Sequence, residues 1–159
     1  MKNYFLLCAI ALGSCVGQDN RNSEDTNKAD EDTIHAMANR PVQNKPYCFI
    51  RTEGTGQQDT TKVRFTINGD KVEGEMSWIP KEKDSRKGVL TGTISNNEIT
   101  ALWNYMQEGM RDSIRMAFKL LPNDELAQKP LTINGASGIQ ETDEAAGYTV
   151  IYKSDHCND

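Results

Sequence analysis

From Lys62 to Trp78 apolar and polar residues alternate one for one, interrupted only at Asn68-Gly69-Asp70. Val63, Phe65 and Ile67 share one face with Lys62, Arg64 and Thr66 on the other. After the break Val72, Gly74, Met76 and Trp78 alternate with Lys71, Glu73, Glu75 and Ser77. A side-chain period of two marks a half-buried strand, and a Gly-containing break between two such runs makes a β-hairpin. The pattern then repeats. Leu90, Gly92 and Ile94 form another inward set, Ser95-Asn96-Asn97-Glu98 turns, and Ile99, Ala101, Trp103 and Tyr105 resume it. Ile114, Met116, Phe118 and Leu120 follow past a loop centred on Glu108-Gly109, and Pro122-Asn123-Asp124 supplies a further turn. Tyr47 to Arg51 reads as a first strand and Tyr148 to Lys153 as a last one. Connections this short keep successive strands adjacent and antiparallel.

Several strands with no helix long enough to cover a sheet predict an all-β domain over 46–159. The expected architecture is a small antiparallel β-barrel, lipocalin-like or avidin-like, or else a tight β-sandwich. One stretch is ambiguous. Leu102, Tyr105, Met106, Gly109 and Met110 also fit a three-four spacing, so 101–118 reads as strand with a partly helical, two-layer arrangement as the alternative. Inward glycines at Gly74 and Gly92 let a sheet bend sharply or let a large neighbour lie across it, and Trp78 and Trp103 are the expected neighbours. Ile133 through Ala146, Gly-rich and acidic, is expected to form a long exposed loop or a short extra hairpin.

Ahead of this domain the chain opens Met1-Lys2-Asn3-Tyr4 and continues to Cys15 as an apolar stretch too short to span a bilayer. Residues 1–14 are therefore expected to be a signal peptide. Its end, Leu12-Gly13-Ser14-Cys15, resembles the bacterial lipobox. That resemblance implies cleavage before Cys15, acylation of its thiol with palmitate or similar chains, and a firm hold on a membrane surface. The alternative is a plain leader followed by an unmodified cysteine. Residues 15–45 hold almost no aromatic or β-branched side chain and carry clusters such as Asp30-Glu31-Asp32, a composition that cannot build a core. They are expected to be a disordered acidic tether, with a short partner-seeking helix over Ala29 to Asn39 as the sharper alternative. The acidic stretch after the cysteine resembles an export signal of Bacteroidota lipoproteins, which implies the outer membrane, on its periplasmic face or at the cell surface.

With Cys8 lost in the leader and Cys15 acylated, Cys48 and Cys157 remain, one near each end of the folded part. In a compartment where disulfides survive they are expected to pair, the alternative being two buried free thiols. His156 beside Cys157 does not make a nucleophile pair, because adjacent residues seldom face one another. Four cysteines and two histidines, with no three at short spacing, offer no zinc site, and no cofactor is expected. Across 159 residues, 18 Lys and Arg stand against 23 Asp and Glu, a net charge of −5, which provides no field to attract nucleic acid.

Tyr47-Cys48, Gly74, Glu82-Lys83-Asp84, Gly88, Gly92, Tyr105, Glu108-Gly109, Ser113-x-Arg115 and Phe118 together resemble the pattern of a group of small secreted Bacteroidota lipoproteins without assigned activity. The resemblance spans about 70 residues from Cys48 to Phe118 and departs after Leu121. It implies an envelope location and a small β fold, and it implies no mechanism.

The candidate site comes from charge. Lys81 to Lys87 is a dense mixed-charge loop, and up-and-down strands place it at the same end as the Glu108-Gly109 loop. Glu82, Asp84, Glu108 and Arg115 are therefore the candidate ligand-binding residues, with Arg115 as a fork for a carboxylate or phosphate. Against this, strand alternation points Arg115 outward, opposite Ile114 and Met116, and solvated turns are the plainer reading of both loops. No catalytic residue is assigned. The expected function is a non-catalytic, envelope-anchored binding module for a small anionic or sugar ligand or for another envelope protein. The alternatives are a small glycoside hydrolase using Glu82 and Glu108, which would need its two acids flanking a cleft, and an inhibitor of a hydrolase.

Overall fold

The computed structural model describes residues 41–157. Each alternating run forms a strand: β1 (Tyr47–Glu53), β2 (Asp59–Asn68), β3 (Lys71–Ile79), β4 (Arg86–Ser95), β5 (Glu98–Gln107) and β6 (Met110–Leu120). β7 (Leu126–Gln128), β8 (Leu131–Ile133), β9 (Gln140–Thr142) and β10 (Val150–Ser154) complete the order. The ambiguous stretch 101–118 is strand throughout its two arms, β5 and β6, joined at Glu108-Gly109.

Eight strands close into an antiparallel barrel in the order β1-β10-β7-β6-β5-β4-β3-β2. The turns explain why the register is fixed. Asn68 pairs with Lys71 across Gly69-Asp70, and Ser95 pairs with Glu98 across Asn96-Asn97, both of which have positive φ. Two-residue loops of this kind match the strand twist and leave no freedom to slip. The last expected strand is β10, which pairs with β1 on one side and β7 on the other and seals the barrel. Cys48 and Cys157 form a disulfide with their Cα atoms 5.4 Å apart, on this same seam.

β8 and β9 stand outside the barrel order as a two-stranded hairpin, the shorter of the two forms expected for 133–146. It is pinned to β6 where the Thr142 hydroxyl donates to the Arg115 carbonyl at 2.5 Å, and to its own stem where the Asp143 amide donates to the Pro130 carbonyl at 2.9 Å.

The inward glycines have a different partner from the one expected. A Cβ on Gly74 would lie 2.5 Å from the Phe65 Cα, and one on Gly92 would lie 2.6 Å from the Ala101 Cα. The close neighbours are thus the backbones of the paired strands, β2 and β5, rather than the indoles of Trp78 and Trp103. Such tight approach coils the strands strongly enough to close a narrow barrel.

The interior is filled at one end and open at the other. Phe65, Ile67, Val72, Ile99 and Phe118 are at most 1% exposed and fill the closed end. Residues 41–45, expected as the last part of the tether, cross this end: the Asn44 amide donates to the Ile67 carbonyl at 2.8 Å, and the Gly69 amide to Gln43 Oε1 at 2.7 Å. Residues 1–40, which carry the expected signal peptide, Cys15 and most of the tether, lie outside the described residues.

Candidate ligand site at the barrel mouth

Strand parity decides which side chains reach the open end. Phe49 is buried in the core, so Arg51 and Glu53, two and four residues further along β1, point to the same side. On β4 the inward set Leu90 and Gly88 extends back to Arg86. On β5 Trp103 and Tyr105 lead to Gln107, and on β6 Ile114 leads to Asp112. Gln128 of β7 and Val150 and Tyr152 of β10 complete the wall. These residues surround a cavity of about 770 Å³, within the usual range for a small-molecule site. Leu131, Ile133 and Gln140 of the β8–β9 hairpin form part of its lining, so the hairpin acts as one rim. Both tryptophans of the chain, Trp78 and Trp103, face it.

Arg86 lies at the centre of the polar contacts. Its Nε donates to Gln107 Oε1 and its Nη1 to Gln140 Oε1, each at 2.7 Å, which links β4 to β5 and to the hairpin. The guanidinium carbon lies 5.2 Å from the Trp78 ring centre and 5.1 Å from that of Tyr105, within cation–π range of both. Tyr105 packs at 4.6 Å against Trp103, whose indole N–H donates to the Met76 carbonyl at 3.0 Å. The Tyr105 hydroxyl donates to Asp112 Oδ2 at 3.2 Å. Burial pushes the Tyr105 phenol up from its ordinary pKa, Arg86 pulls it down, and Asp112 raises it by charge and by hydrogen bond, so it stays a donor at neutral pH.

On the opposite wall Arg51 and Glu53 form an ion pair. The buried Tyr152 hydroxyl donates to Gln128 Oε1 at 2.5 Å, and burial is the main reason its pKa rises far above the ordinary phenol value. Arg51, Glu53, Gln128 and Tyr152 of this wall are thus each engaged with a protein partner.

The four residues singled out in the sequence separate. Asp84 and Glu108 meet: their carboxyl groups share a hydrogen bond across the two loops, which raises the Glu108 pKa, with charge repulsion from Asp84 and slight desolvation adding to the rise. Glu82 is exposed on the β3–β4 loop. Arg115 pairs in register with Leu102 on the outer face of the barrel, as its alternation indicated, and offers only its backbone carbonyl to the hairpin. Among the described residues no ion pair joins Arg115 to the three acids. None of the four lines the mouth cavity. Nor do the described residues gather any group of three or more His, Cys, Asp or Glu that could hold a metal ion.

Arg86, Arg51, Glu53 and Asp112 were not singled out in the sequence, although alternation carries each of them inward. Gln128 and Gln140 sit on strands of three residues, too short for any period to register.

The acid pair has a pH signature. A carboxyl whose pKa is raised on folding adds stability in full below the ordinary glutamate pKa of about 4.3, and that contribution is lost as pH rises through the folded value. Glu108→Gln removes the charge and leaves an amide that can donate to Asp84. The variant should therefore melt higher than the parent at pH 7 and at nearly the same temperature below about pH 4. Thermal melts at the two pH values decide it. An equal gain at both would show that the two carboxyl groups do not interact in solution.

Fold and site together define a closed antiparallel barrel with one packed end and one aromatic, arginine-bearing mouth. No family model matches the chain, and no curated protein or solved structure matches it either.

Proposed function

We propose that this protein is a non-catalytic binding module that takes a small ligand into the barrel mouth and is held by an acylated Cys15 at the outer membrane. The observation that supports binding is the cavity itself. A small barrel can fill its interior with side chains, and this one does so at the Phe65–Phe118 end while leaving about 770 Å³ between Trp103, Tyr152 and the β8–β9 hairpin. Apolar walls with a few oriented polar groups are what small-ligand sites need. The acids Glu82 and Glu108 stand outside that cavity, which favours binding over glycoside hydrolysis. The anchor rests on Leu12-Gly13-Ser14-Cys15 and on the acidic segment that follows.

Two measurements test the reading. Residues 41–157 close a barrel around one core of their own, so the chain from Val16 onward, free of leader and acyl groups, is suitable material. N-phenyl-1-naphthylamine, a neutral apolar dye, should accept energy from the two tryptophans and saturate at one molecule per chain. Val150→Phe, which puts a ring into the cavity, should weaken it at least about tenfold. No saturable transfer, or transfer indifferent to Val150→Phe, would remove the binding reading. For the anchor, intact mass of the protein extracted from its own membrane should begin at Cys15 with acyl mass added, and an unmodified Cys15 would remove it.

A further inference from the structure

We infer that the ligand is an amphipathic carboxylate, its charged end on Arg86 and its apolar body along Trp78 and Val150. This rests on the mouth being a ligand site and adds the chemical class of the ligand.

The first support is the balance of charge inside the cavity. Five ionised side chains line it: Arg51, Glu53, Lys83, Arg86 and Asp112. Arg51 and Glu53 neutralise each other. Asp112 is engaged by the Tyr105 hydroxyl. Lys83 is on the exposed loop, whereas Arg86 is half-buried, and among the described residues no carboxylate lies within ion-pairing distance of its guanidinium. Counting all five, three cations stand against two carboxylates, because the Tyr105 hydrogen bond leaves the Asp112 charge in place, so the cavity carries one positive charge in excess within a chain whose net charge is −5. A partly desolvated guanidinium gains more from an incoming anion than an exposed one does.

The second support is how Arg86 is held. Its two hydrogen-bond partners are the amide oxygens of Gln107 and Gln140, which orient the group without cancelling its charge. Two of five N–H donors are used, and the rings of Trp78 and Tyr105 restrict the plane in which the rest point. A prepositioned fork of this kind matches two oxygens of a carboxylate. Trp78, Leu131 and Val150 offer half-buried apolar surface. Of the other polar groups on the wall, Arg51 is paired with Glu53, Asp112 with Tyr105, and Gln128 with Tyr152. A sugar would have to displace those bonds to satisfy its hydroxyls, and a cation would meet Arg86.

The test is displacement of N-phenyl-1-naphthylamine from the chain beginning at Val16 by decanoate, decanamide and decylamine, which share one apolar tail. Decanoate should displace the dye at a concentration at least about tenfold lower than decanamide, and decylamine should be weakest. Arg86→Gln should bring decanoate to the level of decanamide measured on the same variant. If decanamide equals decanoate on the unaltered protein, a comparison that needs no variant, or if Arg86→Gln keeps the gap, the carboxylate assignment fails while saturable dye binding still supports the mouth as a site. If the dye itself does not bind, the site and the assignment fail together.

Discussion

Gly88→Ala should cost the barrel about 3 kcal/mol or more, a large effect for adding one methyl group. A Cβ there would sit 1.8 Å from the Asn104 carbonyl oxygen and 2.5 Å from the Tyr105 Cα. Both are backbone atoms of the paired strand, so no side-chain rotation relieves the clash. Strands β4 and β5 would have to part directly beside Arg86 and Tyr105, and with them the mouth would widen. Gly135→Ala is the control, since nothing lies within 4 Å of the added atom there. Urea unfolding of the two variants gives the answer. If Gly88→Ala stays within about 0.5 kcal/mol of the parent, the close approach of the two strands does not exist in solution.

Loss of the Cys48–Cys157 bridge should have the next largest effect, a fall of roughly 2 to 5 kcal/mol in Cys157→Ala, or about 10 to 20 °C in the melting midpoint. Two contributions add. The bridge closes a loop with a sequence separation of 109, which restricts the unfolded chain considerably. It also clamps a weak seam: β1 meets β10 through only Phe49–Ser154 and Ile50–Lys153, whereas β1 meets β2 through seven register pairs. Hydrogen exchange should accordingly rise first in β10 and β7 of the variant and least in β3, β4 and β5. A melting point unchanged by Cys157→Ala, or a uniform rise in exchange, would show that the seam holds without the bridge.

The hairpins were legible in the sequence because β2 to β6 have strict alternation and turn residues at the breaks, two local signals that agree. Gly69 and Asn96-Asn97 named their turns, and the buried side of β5 read off Ile99, Ala101, Trp103 and Tyr105 resolves the helical alternative for 101–118. The pairing of Cys48 with Cys157, and β10 beside β1, followed from which cysteines remained and where. The site was harder for a specific reason. Charge density drew attention to Lys81–Lys87 as a loop, but β4 begins inside that run, at Arg86, on the parity of Gly88 and Leu90. An inward arginine in an otherwise apolar column was the signal to follow. Arg51 carries the same signal, two residues after Phe49. What alternation does not encode is the position of the β8–β9 hairpin, which brings Gln140 from 54 residues away to the Arg86 guanidinium. Asp84 and Glu108 came together as the loop geometry implied, and Arg115 went to the outer face as its own parity required.

The strand order also sets a timetable for the chain as it is made. β2 to β6 each pair with the next strand through a tight turn or short loop and can zip up as they emerge, whereas β1 needs β10, which follows every other strand. Until β10 arrives, β1 and β7 each present a row of unpaired N–H and C=O groups to whatever passes. Contacts of such long range form last, and their delay is when β proteins stick to one another. Formation of the Cys48–Cys157 bond belongs to that final step, with an external thiol oxidant taking up the two electrons, since the two sulfurs meet only once β10 has docked. A nascent chain halted between Gln128 and Val150 is therefore a nearly complete sheet with two sticky margins, a natural target for holding chaperones and for proteases.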